Sequence, residues 1–326
     1  KQISEDANAL LPGSDLYFNN YATAEVHEAM LKDTPRNEAY ASAIDKCKDF
    51  LEGKVVLDVG CGTGFLSMLC AKAGAKTVYA VEASEMAFTA EQIVKDNQMD
   101  EVIKVFHSPV ETLRIPEQVD VIVSEWMGFY LLHESMLRSV LVARDKFLKP
   151  GGLMMPSQAR IFAAPVSMND YRREKIDFWN HVMGFNMTAM KSKAWEADMA
   201  TPRVESLGAG SLLADPQLVA SFDLATVTHE MLVRMDAALS FKVNRDGEFG
   251  GVCTYFDTTF NIPPPCRDNE PVVLRTGPES PPTHWKQTIC LLGVFPRVKH
   301  NDLIDVHLSL QQDLTNPRQY VLTLET

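Results

Sequence analysis

Two glutamates, Glu125 and Glu134, flank a short loop that contains Gly128 and follows an apolar run. They stand nine positions apart (134 − 125), and most residues between them are apolar or aromatic. Such a pair of acids can act as general acid and base, bind a divalent metal, or clamp a cation. His133 is the one further candidate ligand in the loop, so a metal site is the weakest of the three interpretations.

A cationic ligand is physically favoured for this pair of acids. A guanidinium is always charged, and its planar fork of donors meets carboxylates bidentately. The alternative is purely structural: a solvated turn, with Glu134 placed in the first turn of the following helix, where the helix dipole favours an acid.

A glycine-rich stretch lies upstream, in the sequence KVVLDVGCGTG from Lys54 to Gly64. An apolar run that enters a glycine turn before a helical pattern is typical of the strand–loop–helix that opens a parallel α/β sheet. Glycines there let the backbone turn sharply and let a ligand approach the main chain. Glu82 ends the next predicted strand, 24 residues after Asp58 (82 − 58), where such folds place an acid on a ribose. The stretch resembles motif I of S-adenosylmethionine-dependent methyltransferases, and an ordinary tight turn is the alternative.

The elements that must position these residues alternate between strands and helices. After Glu82 the pattern predicts a helix (Ser84–Asn97), two strands (Val102–His107 and Val119–Ser124) and a helix (Glu134–Phe147). This alternation indicates an α/β doubly wound, Rossmann-like domain over residues 51–155. Residues 1–50 show two or three short amphipathic segments interrupted at Pro35, and we expect them to form a helical lid over the ligand edge of the sheet.

Residues 156–326 have a different pattern. Short strand-like runs separated by Gly, Pro and Asn predict a mostly antiparallel β-barrel. A helical, Met-rich and aromatic insert at about 169–193 interrupts it. Such an insert is either core packing or an exposed interaction arm.

The composition narrows the class of protein. The chain has 326 residues, a net charge of −12 and 46% hydrophobic residues, which fits a globular protein of about two domains. The acidic balance argues against a general nucleic-acid binder and suits a cationic partner. Six cysteines without metal-like spacing indicate reduced thiols, as in an intracellular protein. No run long enough to cross a membrane appears.

Four motifs in order resemble the protein arginine N-methyltransferase family. They are YFNNYATAEVHEAMLKD near the start, VLDVGCGTGFLSM, the two-glutamate loop SEWMGFYLLHESML, and PPTHWKQ near the end. The β-rich second half with its insert is similar to the family's barrel and dimerisation arm. The loop and the residues before Thr283 look closest to the subgroup numbered 6.

The resemblance implies S-adenosylmethionine as methyl donor, with S-adenosylhomocysteine as the product. It implies that Gly60 and Gly62 approach its amino-acid end with Asp58 in support. It also implies that Arg36 pairs its carboxylate, that Glu82 holds its ribose, and that Val110-Glu111 meets adenine. The full set of implied cofactor-binding residues is Tyr17, Tyr21, Met30, Arg36, Asp58, Gly60, Gly62, Glu82, Val110 and Glu111.

The resemblance also implies the reaction. Glu125 and Glu134 would grip the substrate guanidinium, and His284, paired with Asp33, would accept the departing proton. Met127, Trp285 and His27 are implied to contact the substrate, although His27 could instead hydrogen-bond within the lid, and Trp285 could be packing. Met30 is similar to the methionine of type I enzymes, which make asymmetric dimethylarginine. The implied partners are Arg-containing proteins such as Arg-Gly-rich proteins and histone tails, and a second copy of the chain, with no membrane or nucleic acid, in the cytoplasm and/or the nucleus.

Two alternatives belong to other classes. A regulatory paralogue would dimerise through the arm and activate a partner without catalysis, although neither the cofactor motif nor the acid motif is broken. A small-molecule or nucleic-acid methyltransferase could share the fold, but the two acids and the charge of −12 disfavour an anionic substrate.

Overall fold

The computed structural model describes residues 21–199, 201–266 and 268–326. The predictions on Tyr17 therefore lie outside the described residues. Each of the six cysteines is free, and five of them are buried. In the described ranges, no helix has the length and apolar character needed to cross a membrane.

From residue 21 onward, the described part of the N-terminal segment contains three helices, in line with the two or three that the sequence predicts. They are α1 (Ala24–Lys32), α2 (Thr34–Lys46) and α3 (Lys48–Leu51). The break at Pro35 has a local cause, since Asp33 caps α2 by accepting a hydrogen bond from the backbone N–H of Arg36, and Pro35 lies in the first turn of α2, where a missing N–H costs nothing.

A five-stranded parallel sheet forms the middle of the chain, and its strands are ordered β3-β2-β1-β4-β5. Its elements are β1 (Val55–Val59), α4 (Phe65–Lys72), β2 (Thr77–Glu82), α5 (Met86–Asp96), β3 (Ile103–His107), β4 (Val119–Val123), α6 (Leu137–Phe147) and β5 (Leu148–Met155). The chain winds outward from β1 to β3 and then returns to the other side of β1. Ligands of open α/β sheets bind at the carboxyl ends of the strands beside such a reversal, so the turns after β1 and β4 face one crevice.

The remainder is antiparallel and confirms the predicted barrel. A six-stranded sheet has the path β7-β13-β11-β6-β8 with β12 beside β11, and further sheets pair β16-β15-β9 and β10-β14. The strands are β6 (Gln158–Val166), β7 (Arg203–Glu205), β8 (Gln217–Asp223), β9 (Arg234–Lys242), β10 (Gly247–Glu248), β11 (Gly251–Phe260), β12 (Val272–Arg275), β13 (Gln287–Leu291), β14 (Arg297–Val298), β15 (Leu303–Gln312) and β16 (Tyr320–Glu325).

The insert is an exposed arm rather than core. It contains α7 (Asn169–Lys175), two short 3₁₀ turns and α8 (Lys191–Met199), so its helical part runs beyond the predicted end at Lys193. Its large apolar side chains face outward, with Met183 92% and Phe185 66% exposed. Exposed apolar groups clustered on one projection are typical of a protein–protein contact.

One predicted boundary was wrong for a physical reason. The helix expected from Glu134 begins at Leu137 instead. Glu134 and Ser135 have φ values of 73° and 54°, which lie in the left-handed region and cannot continue a right-handed helix.

Tyr40 of α2 ties the lid to both larger units. Its side chain is fully buried, its hydroxyl donates to the carbonyl of Ser124 at 2.9 Å, and its ring meets Phe260 edge-on at 4.8 Å. Ser124 follows β4, whereas Phe260 ends β11 of the barrel. The same helix therefore carries Arg36 and is anchored to the sheet and the barrel at once.

We expect Tyr40→Ala to lower the free energy of unfolding by about 3–5 kcal/mol, because it leaves a cavity between three elements. Tyr40→Phe keeps the ring but leaves the buried Ser124 carbonyl unpaired, at a cost of about 1–3 kcal/mol. Chemical denaturation measures both. As a control, Leu314→Ala, at a side chain that is 87% exposed, should change stability by less than about 0.5 kcal/mol. A cost for Tyr40→Ala no larger than that of the control would contradict this account.

Candidate active site

A cavity lies in the crevice at the carboxyl ends of β1, β2 and β4, under α1 and α2. It brings together most of the residues singled out from the sequence. Those that line it are Tyr21, His27, Met30, Arg36, Gly60, Gly62, Glu82, Val110, Glu111, Glu125, Met127, Glu134, His284 and Trp285. Asp33 and Asp58 do not line the cavity, although Asp33 is hydrogen-bonded to His284, which does.

The glycine turn presents bare backbone to the cavity. Gly60 and Gly62 have φ values of 71° and 52°, which favour glycine. A Cβ atom on Gly60 would lie 2.3 Å from Cε of Met136, and one on Gly62 would lie 3.0 Å from Cε1 of His27. The left-handed backbone disfavours a side chain at both glycines, so the main chain stays bare and a ligand can approach it.

Glu82 is fixed at the edge of this turn. One carboxylate oxygen accepts from the backbone N–H of Gly62 at 3.0 Å, and the other accepts from that of Ser84 at 2.8 Å. The residue is buried but lines the cavity. Two backbone donors hold the carboxylate in place, as suits an acid that must meet hydroxyl groups of a ligand.

Asp58 lies beneath the glycine turn. It is fully buried as part of β1, and the Ser67 hydroxyl donates to its Oδ2 at 2.6 Å. Burial raises the pKa of its carboxyl to about 7, against the lowering effect of Ser67. Its Oδ1 has no hydrogen-bond partner among the described residues. Asp58 therefore supports the glycine turn from beneath.

The first of the two glutamates is held by an arginine of the lid. Oε2 of Glu125 lies 3.0 Å from Nη2 and 3.1 Å from Nε of Arg36. Both side chains are less than a tenth exposed. Arg36 also donates to the Asn37 side chain at 2.7 Å. The guanidinium therefore compensates the buried charge of Glu125 and is itself oriented by its neighbours.

The second glutamate is held by a tyrosine hydroxyl. Tyr21 donates to Oε2 of Glu134 at 2.7 Å. Burial raises the pKa of Glu134, and the nearby charge of Glu125 adds to this, whereas the Tyr21 hydrogen bond opposes it. The two carboxylates therefore face one cavity in unequal surroundings.

The loop between the two glutamates has a strained backbone. Gly128 packs so closely that a Cβ atom there would lie 2.1 Å from the carbonyl oxygen of His133. Gly128 and Leu131 exchange backbone hydrogen bonds at 3.0 Å in both directions. Positive φ values without glycine occur at Tyr130, Leu131, Glu134 and Ser135. Such conformations cost free energy and persist when the surroundings impose them.

His284 and Asp33 form the predicted pair. Nδ1 and the backbone N–H of His284 lie 2.6 Å and 2.8 Å from Oδ2 of Asp33. Burial would raise the pKa of Asp33, but the hydrogen bonds from His284 and Arg36 outweigh it and lower the pKa. The imidazole is thus oriented by a carboxylate that is itself fixed at the start of α2.

Trp285 and His27 have contacts that define their places. Trp285 lines the cavity, donates from Nε1 to the carbonyl of Met127 at 2.7 Å, and packs edge-on against Phe256, so it is both wall and core. His27 lies over Gly62, with Nε2 2.8 Å from the carbonyl of Tyr21. The hydrogen bond to Tyr21 matches the alternative role of His27 within the lid, and the contact with Gly62 places the imidazole against the glycine turn.

Among the cavity residues that were not predicted, Met136, Ser139 and Arg318 make contacts with the predicted ones. Met136 covers Gly60, and the hydroxyl of Ser139 donates to the carboxylate of Glu111 at 2.6 Å. Both residues closely follow the two-glutamate loop in sequence, and this nearness is the feature from which they could have been predicted. Arg318 lies 184 residues after Glu134 and donates from Nη1 to the carbonyl of Glu134 at 2.9 Å. No local pattern connects these two residues, since the barrel brings them together.

The comparisons with known proteins first define the class. Residues 56–152 match the family model described as a methyltransferase domain. This agrees with a glycine turn, an acid after the second strand and a cavity at the switch point of the sheet.

The family follows from the second half and from whole-chain relatives. Residues 157–325 match the arginine methyltransferase oligomerization subdomain. The chain is 42% identical to the rice (Oryza sativa subsp. indica) probable protein arginine N-methyltransferase 6.1 over 93% of its length and 85% of the relative. It is 41% identical to zebrafish (Danio rerio) protein arginine N-methyltransferase 6 over 95% of its length and 88% of the relative. The chain therefore belongs to the protein arginine N-methyltransferase family, and the number 6 in these names agrees with the predicted subgroup.

A solved structure agrees with this. The Trypanosoma brucei PRMT1 enzyme–prozyme heterotetrameric complex with AdoHcy has 33% sequence identity and a TM-score of 0.84. The match covers 94% of this chain and 93% of that one.

The raised pKa of Glu134 has a consequence for stability. Because its folded-state pKa lies above its ordinary value of 4.5, ionisation of Glu134 lowers stability as the pH rises through that pKa. We expect Glu134→Gln to be more stable than the wild type at about pH 7.5, with the difference shrinking as the pH falls toward acid. Thermal melting across this pH range measures it.

The matched control is Glu325→Gln, at an exposed residue of β16. Its stability difference from the wild type should be small and flat with pH. A Glu134→Gln variant that is less stable than the wild type at neutral pH would refute the raised pKa of Glu134 as the cause.

Proposed function

We propose that this chain transfers methyl groups from S-adenosylmethionine to the guanidino nitrogens of protein arginines and yields monomethylarginine and asymmetric dimethylarginine, the type I outcome. The observation that carries the proposal is the pair Glu125 and Glu134 on one cavity with the glycine turn. Two carboxylates suit a guanidinium, and the turn suits the donor.

The residues present fit the cofactor. Gly60 and Gly62 leave room for it at the main chain, and the fixed carboxylate of Glu82 suits its ribose hydroxyls. Buried Asp58 supports the glycine turn from beneath. Arg36 would hold the carboxylate, with Tyr21, Met30, Val110 and Glu111 completing the walls. When bound, the cofactor supplies an electrophilic methyl group attached to a sulfonium.

The chain itself positions and polarises the substrate. Glu125 is already paired with Arg36, whereas Glu134 is paired with a neutral hydroxyl. A guanidinium held between them meets unequal partners, so its positive charge is drawn toward one side and the opposite nitrogen keeps more of its lone pair. Proximity and electrostatic stabilisation then account for most of the rate enhancement.

His284 takes the departing proton in this proposal. It lines the cavity, and the Asp33 carboxylate, 2.6 Å from Nδ1, holds the imidazole in place to receive the proton. Trp285, Met127 and Met30 form apolar walls around the reacting group. We assign type I on Met30, whose family resemblance favours asymmetric dimethylation.

The test is mass spectrometry of an Arg-Gly-rich peptide after incubation with the chain and S-adenosylmethionine, with fragmentation to resolve the methyl positions. We expect asymmetric dimethylarginine. Glu125→Gln should reduce turnover by about 10²-fold or more, because one charge of the clamp is lost; calorimetry measures separately how far the loss of the Arg36 partner changes cofactor binding. Glu325→Gln is the control for activity.

Other results of these assays would overturn a particular part of the proposal. Only monomethylarginine would overturn the type I assignment, and a turnover unaffected by Glu125→Gln would overturn the clamp. A product that appears only after a partner subunit is added would favour the regulatory paralogue, an arrangement for which the Trypanosoma brucei enzyme–prozyme complex is a precedent.

We further propose that the chain forms a homodimer through its arm and acts in the cytoplasm and/or the nucleus on Arg-Gly-rich proteins and histone tails. The match to the oligomerization subdomain and the exposed Met183 and Phe185 support the dimer. Six free thiols fit a reducing compartment.

Light scattering tests the dimer at micromolar concentration. We expect twice the chain mass of 36.4 kDa for the wild type and a single chain mass for Met183→Glu/Phe185→Glu, because buried charges oppose association. Leu314→Glu, exposed but outside the arm, should remain dimeric. A wild type that scatters as one chain would exclude the homodimer.

A further inference from the structure

The turn between β15 and β16 is a stiff structure that reaches from the barrel to the two-glutamate loop. Oδ1 of Asp313 accepts from both the backbone N–H and the hydroxyl of Thr315 at 2.7 Å. The backbone N–H of Gln319 donates to the carbonyl of Asn316 at 2.8 Å. These bonds fix the turn that carries Pro317 and Arg318.

Hydrogen bonds join this turn to the second glutamate and its neighbour. The backbone N–H of Glu134 donates to the carbonyl of Arg318 at 2.6 Å, and Nη1 of Arg318 donates to the carbonyl of Glu134 at 2.9 Å. The hydroxyl of Ser135 donates to the carbonyl of Pro317 at 2.6 Å. Arg318 therefore hydrogen-bonds to both the backbone N–H and the backbone carbonyl of Glu134.

The bonded residues are those with the unfavourable backbone. Glu134 and Ser135 have φ values of 73° and 54°, and a non-glycine residue holds such values when its surroundings impose them. Without these bonds the loop is free to relax, and relaxation at Glu134 moves its carboxylate. Arg318 is itself buried and lines the cavity, so its side chain acts within the site.

We propose that Arg318 is a positioning residue, which imposes the left-handed backbone of Glu134 from the other domain and so aims its carboxylate at the substrate guanidinium. The inference rests on the proposed arginine methylation. An arginine suits the task better than a lysine, since a rigid planar fork fixes an acceptor with less loss of freedom.

The charge of Arg318 gives the inference a second readout. The charged and titratable groups that act on the carboxylate of Glu134 are Tyr21, Glu125, His284 and Arg318. The positive charge of Arg318 lowers the pKa of Glu134. Removing that charge disfavours the ionised carboxylate. The pH at which Glu134 becomes ionised then rises, and so does the acid limb of the pH–rate profile.

The experiment compares Arg318→Met, Arg318→Lys and the control Arg234→Met in peptide methylation from acid to alkaline pH. Arg234 lies on β9 of the same three-stranded sheet, is half-exposed, and pairs with Asp236 at 2.6 Å. Calorimetry with S-adenosylhomocysteine and thermal melting accompany each variant, so that folding and cofactor binding are measured separately from turnover.

We expect Arg318→Met to lower kcat by about 10²-fold through misplacement of the carboxylate, to leave cofactor affinity within about twofold, and to move the acid limb to higher pH. Arg318→Lys should keep the acid limb in place and still lower kcat, because the charge remains and the fork is lost. Arg234→Met should match the wild type.

Two results would overturn the inference. One is an Arg318→Met enzyme that is folded and matches Arg234→Met in both kcat and acid limb. The other result applies if Arg318→Met melts below the assay temperature. In that case an Arg318→Lys enzyme with a kcat within about twofold of the wild type refutes the positioning role. A wild type without methyl transfer would instead count against the proposed function, which keeps the two failures distinct.

Discussion

The buried ion pair between Arg36 and Glu125 is the interaction on which the site depends. A carboxylate removed from water is costly unless a partner compensates it, and loss of one partner leaves an uncompensated charge. Arg36 comes from α2 and Glu125 from the end of β4, so the pair holds the lid against the catalytic edge of the sheet. Tyr40, one turn further along α2, supports the same contact by apolar packing and a hydrogen bond to Ser124.

Most of the frame follows from patterns that are local in sequence. Parallel strands buried on both faces read as apolar runs, and β1 is buried at all five of its residues, four of which are apolar. The meeting of the glycine turn with Glu125 also follows, because strand order puts the ends of β1 and β4 side by side. The family motifs then supplied the partners, including the pairing of Asp33 with His284 across 251 positions.

Other features depend on contacts between distant segments and left no local signal. The backbone of Glu134 departs from the helix that its apolar neighbours predict, because residues of the barrel hold it in another conformation. Asp58 carries the expected residue type, yet it faces the interior beneath the turn rather than the cavity. The arm was ambiguous in sequence, since apolar residues in a helix serve a core and an interface equally well, and only exposure separates the two.

Asp33 has a consequence that reaches beyond hydrogen-bond geometry. The same carboxylate caps α2 through Oδ1 and pairs with His284 through Oδ2. The start of the lid helix and the orientation of the imidazole are therefore thermodynamically linked, and each must affect the other by an equal free energy. Any event that loosens the first turn of α2 also releases the imidazole of His284, and a ligand that orders this imidazole in turn stabilises the start of the helix.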